Sequence, residues 1–220
     1  MTINIFIQAR MSSSRFPGKV LAPVLGIPLI KHLVDRVNNV KNISNVIVLT
    51  STEVSDDPLV AFLQSIDCQV FRGELNNVFE RFRKALELYH CDYFIRLCAD
   101  SPFIEAQLID AMIKKGLDNN DFELISNVYS RKFPKGQSVE ILKSSIFLDV
   151  LGSQLSAEEK EHVTPHFYAN KDKYKHLFFE LQQEKSHINQ CIDTIADLKE
   201  IESKKYQYIF DESELCLLKS

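Results

Sequence analysis

Short apolar segments alternate with amphipathic segments over the first 120 residues of this chain of 220. The apolar segments have the length of buried strands, and the amphipathic ones repeat with the period of a helix. Strands connected by helices form a mostly parallel sheet covered on both faces, so we predict a Rossmann-like three-layer α/β/α fold. The predicted strands cover residues 3–7, 46–50, 68–71 and 92–97, and the predicted helices cover residues 28–38, 57–65, 77–90 and 105–115.

The alternation becomes less regular after Asp121. Two strand-like segments, residues 124–127 and 139–142, have no obvious helix between them, which predicts a local antiparallel or mixed part of the sheet. The tail from Lys204 is not clearly periodic. The remaining predictions are a polar helix over residues 158–170, a last strand over 188–192 and a final helix over 195–203.

Composition predicts one globular domain over residues 1–220 and excludes several classes of partner. Hydrophobic residues make up 45% of the chain and charged residues 25%, and no linker or repeat interrupts it. The net charge of −4 argues against a general nucleic-acid surface. The apolar runs are too short to span a membrane, and the start lacks a secretory signal pattern. Five unpaired, scattered cysteines indicate a reducing cytoplasm.

A cation-rich loop follows the first predicted strand. It combines three cations and three hydroxyls with a Pro-Gly turn, in the order Gln-Ala-Arg-Met-Ser-Ser-Ser-Arg-Phe-Pro-Gly-Lys over residues 8–19. A small-residue, cationic loop at the carboxyl end of a sheet strand is typical of a phosphate site. A solvated basic loop is the alternative. The residues concerned are Arg10, Ser12, Ser13, Ser14, Arg15, Pro17, Gly18 and Lys19.

Two carboxylates follow other predicted strands. Asp100 comes after the strand over residues 92–97, and Asp193 comes after the strand over 188–192. Each carboxylate has an alternative role as the cap of the helix that follows it. At one sheet edge, opposite a cationic loop, the pair has the chemistry to hold Mg²⁺ on a triphosphate.

These residues resemble the cytidylyltransferases that make CMP-activated acidic sugars, and the nearest branch is similar to SpsF-type spore-coat polysaccharide proteins. The motif over residues 8–19 is highly specific, and the resemblance spans most of the chain. Further matching segments are residues 26–30, 72–74, 78–82, 96–102, 134–140, 161–165 and 192–198.

The resemblance implies a role for each matching residue of the first half. Arg10 and Lys19 match triphosphate-binding cations, and with Asp100 they form the implied catalytic set. Asp100 and Asp193 match the family's magnesium ligands. The implied nucleotide-binding residues are Gln8, Ala9, Arg10, Ser12, Arg15, Lys19, Arg81 and Arg96.

Arg81 and Arg96 each have a second interpretation. Arg81 lies in a predicted helix beside Glu80 and Lys84, so a solvated helix face is the alternative to nucleotide contact. Arg96 precedes Asp100 on its strand, so an ion pair that orients Asp100 is the alternative there.

The resemblance also divides the chain into a nucleotide-binding half, residues 1–120, and a half for sugar binding and dimerisation, residues 121–220. It implies a homodimer formed through the second half. Many relatives carry Asp where Ser138 stands and Pro-Glu where Ile195-Ala196 stand, and the first difference bears on sugar specificity. The implied sugar-binding residues are Gln137, Glu140 and His162, the last with a surface or helix-packing role as its alternative.

The sequence therefore predicts a cytoplasmic, Mg²⁺-dependent cytidylyltransferase that joins CTP to a small acidic sugar and releases pyrophosphate. Two alternatives remain. One is a nucleotidyltransferase that uses another base or a sugar 1-phosphate, because cations and metal do not identify the base. The other is a catalytically idle nucleotide-binding protein on the same fold.

Overall fold

An eight-stranded sheet with the order β10-β9-β7-β8-β6-β1-β4-β5 forms the centre of the molecule. The structure is a computed structural model that describes residues 1–119, 122–204 and 208–218. A separate two-stranded ribbon, β2-β3, follows the loop after β1. The strands are β1 (Ile3–Gln8), β2 (Pro23–Val24), β3 (Ile27–Pro28), β4 (Asn45–Ser51), β5 (Gln69–Gly73), β6 (Tyr93–Cys98), β7 (Leu124–Ser126), β8 (Glu140–Lys143), β9 (His176–Leu181) and β10 (Leu215–Leu217).

Helices cover both faces of this sheet because its central strands are apolar on both sides. Ile5 and Ile7 of β1 point into one buried cluster, and Phe6 between them points into the other. The predicted three-layer α/β/α fold is confirmed. The helices are α1 (Leu29–Val37), α2 (Asp57–Ser65), α3 (Val78–Leu88), α4 (Ala106–Asp118), α5 (Ser144–Asp149), α6 (Ala157–His162), α7 (Pro165–Ala169) and α8 (Ile195–Lys204).

The sheet is mixed in its second half, as predicted. Strands β5, β4, β1 and β6 run parallel, whereas β8 runs antiparallel to both β6 and β7. This arrangement leaves the carboxyl ends of β1 and β6 side by side, which places the loop after Gln8 next to the segment after Cys98.

Two sequence predictions are wrong in this half, and two strands were not predicted. The helix predicted over residues 158–170 is two helices, broken at Val163, which has φ 72°. Residues 188–192 form no strand of the sheet, and Asn189 makes one isolated parallel bridge with Lys135, which also lies outside the sheet strands. The sequence analysis also missed β9 and β10, which complete one edge of the sheet.

In the part of the chain that the structure describes, no helix is long and apolar enough to cross a membrane.

Candidate active site

The loop after β1 folds back on itself and presents Lys19 to the sheet edge. The carbonyl of Met11 accepts hydrogen bonds from the backbone N–H groups of Ser13 and Gly18, at 2.9 and 2.8 Å. Gly18 has φ 74°, a left-handed conformation that favours glycine, and Lys19 then begins a short 3₁₀ turn. Only 9% of Lys19 is exposed, so its ammonium group is held at a defined place.

Asp56, which the sequence did not single out, connects this loop to β4 through hydrogen bonds. Its buried carboxylate accepts hydrogen bonds from the Met11 N–H at 2.7 Å, from Thr50 Oγ1 at 2.9 Å and from the N–H and hydroxyl of Ser51. Burial raises the pKa of Asp56, but these hydrogen bonds outweigh it and leave the pKa below its ordinary value. Asp56 is therefore ionised and attaches the loop to β4.

We expect Asp56→Asn to lower the free energy of unfolding at pH 7 by about 1–3 kcal/mol, because an amide donor then faces donor groups. The lowered pKa of Asp56 means that its contribution is present above about pH 4 and is lost as the pH falls through the folded-state value. Urea unfolding at pH 7, 5 and 3 measures this. The wild type loses stability more steeply on acidification than Asp56→Asn, and equal slopes contradict the role assigned to this carboxylate.

Lys19 lies between the two predicted carboxylates. Its Nζ is 2.8 Å from Asp193 Oδ1 and 3.6 Å from Asp100 Oδ2. Arg15 reaches the other oxygen of Asp193 at 3.0 Å. One lysine and one arginine thus neutralise two aspartates.

Asp193 reaches this place without a sheet strand behind it, contrary to prediction. The N–H of Ile192 donates to the carbonyl of Asp100 at 2.8 Å, and the Ile192 side chain is fully buried beside Val24 and Phe103. Phe16 of the loop packs against the same cluster. This small core, rather than a strand end, joins the loop to both aspartates.

Neither aspartate caps a helix. Helix α4 begins after Glu105, and the cap of α8 is Thr194, whose hydroxyl accepts from the N–H of Asp197 at 3.2 Å. The capping alternative is wrong for Asp100 and Asp193, because the side chains of both face Lys19.

The loop and the aspartates line a cavity of about 490 Å³. Ser13 and Ser14 are on its wall, whereas the predicted Ser12 is exposed and does not line it. The predicted residues that do line it are Gln8, Ala9, Arg10, Arg15, Lys19, Arg81, Arg96, Asp100, His162 and Asp193.

Arg10 and His162 both line this cavity. Arg10 Nη2 is 3.4 Å from Glu161 Oε1, and both side chains are partly exposed. Glu161 and His162 end α6, immediately before the left-handed Val163 turns the chain into α7. The break in the predicted helix therefore aims the end of α6 at the cavity.

Arg81 is buried, so the solvated alternative is wrong. Its guanidinium donates to the backbone carbonyls of Glu74 and Leu75 at 2.8–3.0 Å and fixes the loop that follows β5. Its stem packs against Gly73, where a Cβ would lie 2.7 Å from Arg81 Cγ. Burial and the neighbouring Arg10 lower the pKa of Arg81 to about 10, so it remains charged at neutral pH.

Arg96 forms its ion pair with Glu140. The alternative prediction, that Arg96 pairs with Asp100 and orients it, is therefore wrong. Arg96 and Glu140 are directly opposite in the β6–β8 register, and Arg96 Nη1 is 2.5 Å from Glu140 Oε2. Arg96 also donates to Gln8 Oε1, and the Tyr168 hydroxyl is 2.7 Å from Glu140 Oε1. Burial, with Glu140 adding to it, raises the pKa of Tyr168, so the phenol keeps its proton. Glu140 holds this buried network and does not line the cavity.

Gln137 is likewise not at the cavity. Its fully buried amide donates to the carbonyl of Phe103 and to Gln190 Oε1, both at 2.8 Å, and accepts from the N–H of Glu105. These bonds satisfy the side chain inside the protein and connect the start of α4 to residue 190.

The aspartate pair fits a hard divalent cation. Asp100, Cys191 and Asp193 each place one ligand atom so that all three lie within 4.8 Å of one another. Magnesium takes oxygen ligands, and one or two carboxylates with phosphate oxygens are its usual protein site. The two aspartates supply such oxygens, whereas Cys191 offers sulfur, which magnesium does not select.

A parallel α/β sheet with a cationic loop at its carboxyl edge, facing two carboxylates across a cavity, defines a nucleotidyltransferase class of site. A sequence model of the cytidylyltransferase family matches residues 4–218. The chain belongs to the cytidylyltransferase family, and the predicted family and enzyme class are confirmed.

Individual relatives agree with this assignment. The chain is 34% identical over 184 residues to the spore coat polysaccharide biosynthesis protein SpsF of Bacillus subtilis, covering 81% of this chain and 75% of that one. A cytidylyltransferase structure from Leptospira borgpetersenii has a TM-score of 0.88 at 31% identity, covering 94% of this chain and 89% of that one. The 8-amino-3,8-dideoxy-manno-octulosonate cytidylyltransferase of Shewanella oneidensis is 32% identical over 118 residues, 51% of this chain and 46% of that enzyme.

Proposed function

We propose that this protein transfers the cytidylyl group of CTP to an acidic sugar, giving a CMP-sugar and pyrophosphate for surface polysaccharide or glycan biosynthesis. The observation that carries the proposal is the position of Lys19 between Asp100 and Asp193, at the end of the cationic loop of a cytidylyltransferase. Relatives named for spore-coat polysaccharide and for an octulosonate acceptor support the sugar assignment.

In the proposed reaction an oxygen of the sugar attacks the α-phosphorus of CTP in line. The new P–O bond forms as the bond from the α-phosphorus to the bridging oxygen breaks, and pyrophosphate leaves with that electron pair. Arg10 and Lys19 neutralise the charge that develops on the leaving phosphates. The hydroxyl proton passes to solvent.

Asp100 and Asp193 are the residues that would hold Mg²⁺. The bound ion would supply positive charge to the phosphate oxygens and acidify the attacking hydroxyl. Within the protein, Asp193 would then exchange its contact with Lys19 for one with the ion, which frees the lysine for the phosphates.

We expect CTP and Mg²⁺ to stabilise the protein together far more than either does alone. Without ligand, Lys19 and Asp193 neutralise each other, so each ligand alone must break that pair. Thermal-shift measurements with Mg²⁺, with CTP in EDTA, and with both test this. A ligand at 100 times its Kd adds about 2.7 kcal/mol, or roughly 5–10 °C at this chain length. An equal shift for CTP in EDTA contradicts the exchange, and Asp193→Asn serves as the variant that should lose the coupling.

The experiment that tests the reaction is a pyrophosphate-release screen of CTP against octulosonic, nonulosonic and neutral sugars. Turnover with an acidic sugar alone supports the proposal. Turnover with a sugar 1-phosphate, or a larger thermal shift with UTP, GTP or ATP, supports a nucleotidyltransferase of other specificity. Nucleotide binding without pyrophosphate release across the panel supports the idle nucleotide-binding protein.

We also propose that the enzyme acts in the cytoplasm as a homodimer. Its five cysteines are all free, which suits a reducing compartment. In the second half, Tyr129 is half exposed and stacks on Phe178 at 4.3 Å, which offers one aromatic contact point for a second subunit. Size-exclusion chromatography of wild type and Tyr129→Ser tests the dimer.

A further inference from the structure

A second cavity, of about 470 Å³, adjoins the first at the aspartate pair. It shares Arg15, Cys98, Asp100 and Asp193 with the nucleotide cavity, so the two spaces meet at the carboxylates. An in-line displacement needs the attacking oxygen on the side of the phosphorus opposite the leaving group. On the proposed function, the phosphates lie against the cationic loop, so the adjoining second cavity is the space left for the acceptor.

One wall of this cavity is rigid backbone. The N–H of Lys135 donates to the carbonyl of Ile188, and the carbonyl of Lys135 accepts from the N–H of Gln190, both at 2.9 Å. Gly136 has φ 90°, and a Cβ there would lie 2.8 Å from the carbonyl carbon of Gln190. The turn thus packs directly on residue 190, and no side chain fits between the two segments.

This packing decides which side chains of the turn face the cavity. Gln137 points inward and is fully buried, whereas Lys135 and Ser138 are exposed on the cavity wall. Asn127 holds the segment on both sides of Ser138, because it donates to the carbonyl of Gln137 and accepts from the N–H of Val139. Lys135 and Ser138 therefore line this cavity, whereas Gln137 and Glu140, which were predicted to bind the sugar, do not.

The charges on the wall leave Lys135 without a counter-ion. Asp197 accepts four hydrogen bonds from the Asp193 N–H, the N–H and hydroxyl of Thr194 and the amide of Asn189. Asp193 is paired with Lys19 and Arg15. Within residues 1–119, 122–204 and 208–218, Lys135 forms no ion pair, whereas Lys132 nearby is 2.9 Å from Glu180. An unpaired cation on a polar cavity wall is the chemistry that recognises an anion.

We propose that Lys135 binds the carboxylate of the acceptor sugar and sets the enzyme's preference for acidic sugars, with Ser138 bonding to a neighbouring hydroxyl. The matched variants are Lys135→Met, Lys135→Arg and, as control, Lys132→Met, which removes the same charge from a lysine that already has a partner. A charge-assisted hydrogen bond of ordinary strength corresponds to an increase of about 10- to 100-fold in KM for the acidic sugar.

We expect Lys135→Met to raise the KM for 3-deoxy-manno-octulosonate or N-acetylneuraminate by that factor and to leave the KM for CTP unchanged. Lys135→Arg should restore most of the affinity, and Lys132→Met should behave as wild type. The carboxamide of the same sugar should bind wild type and Lys135→Met equally. An unchanged sugar KM in Lys135→Met overturns the assignment.

Calorimetric binding of the same sugars, with Mg²⁺ and a CTP analogue that carries a methylene between the α- and β-phosphates, separates this inference from the proposed function. Sugar binding that depends on Lys135, in a protein that never releases pyrophosphate from CTP, supports the subsite and rejects the reaction. Absence of acidic-sugar binding to wild type overturns the subsite.

Discussion

Pyrophosphate release from CTP should fall by about 10²- to 10³-fold in Lys19→Met. Lys19 is the buried cation at the junction of loop and carboxylates, and removal of one preorganised charge donor costs about 3–4 kcal/mol of transition-state stabilisation. The loss should appear mainly in kcat, because the charge on the leaving phosphates grows as the bond breaks. Steady-state kinetics with a coupled pyrophosphate assay measures it.

Lys31→Met is the matched control for this variant. Lys31 lies on the exposed side of α1 and pairs with Asp35 one turn later, at 2.6 Å, so it carries the same charge outside the cavity. Its loss should leave turnover unchanged. Turnover within 10-fold of wild type in a folded Lys19→Met protein would reject the role of this lysine.

The second large effect concerns stability. Glu140→Ala should lower the free energy of unfolding by about 3–5 kcal/mol, because it leaves the largely buried guanidinium of Arg96 without its carboxylate and removes one of the two hydrogen-bond partners of the Tyr168 hydroxyl. Urea denaturation followed by circular dichroism measures the change. A sugar-binding Glu140 would instead raise the sugar KM and leave unfolding unchanged.

Glu87→Ala provides the comparison on the surface. Glu87 pairs with Arg83 at 3.8 Å on an exposed helix face, where such pairs contribute about 0.5 kcal/mol or less. Equal losses of stability in Glu87→Ala and Glu140→Ala would contradict the buried network.

The sequence predicts the first half of the fold well because each element there carries its own signal. The helix predicted over residues 57–65 has those bounds in the structure, with acids and a proline at its start. Strand β9 was missed because Leu177, Phe178 and Phe179 form only a short apolar run within a polar stretch. A usable signal was overlooked at Pro165, which cannot continue a helix from Glu161 since it lacks an N–H.

For the candidate site, the sequence predicts which first-half residues meet at the cavity better than it predicts the orientation of second-half side chains. The motif over residues 8–19 and the two aspartates lie together at one cavity. In residues 121–220 the Pro-Lys-Gly sequence indicates the turn at Gly136, but it does not show which side chains beside the turn point into the protein. Asp56 accepts a hydrogen bond from the backbone of Met11, which is distant in sequence, and Arg81 donates to the backbone of the loop before its own helix. No local sequence pattern predicts contacts of this kind.

The contact between Lys19 and Asp193 has a consequence for the end of the catalytic cycle. On the proposed function, departure of pyrophosphate would leave the ammonium group free to return to its 2.8 Å contact with Asp193, in competition with a cation at that carboxylate. Because Lys19 is part of the chain, its ammonium group competes for Asp193 at a high effective concentration. On the proposed function, this contact would favour release of the metal once pyrophosphate has left, and Lys19→Met should raise the affinity of the nucleotide-free protein for Mg²⁺.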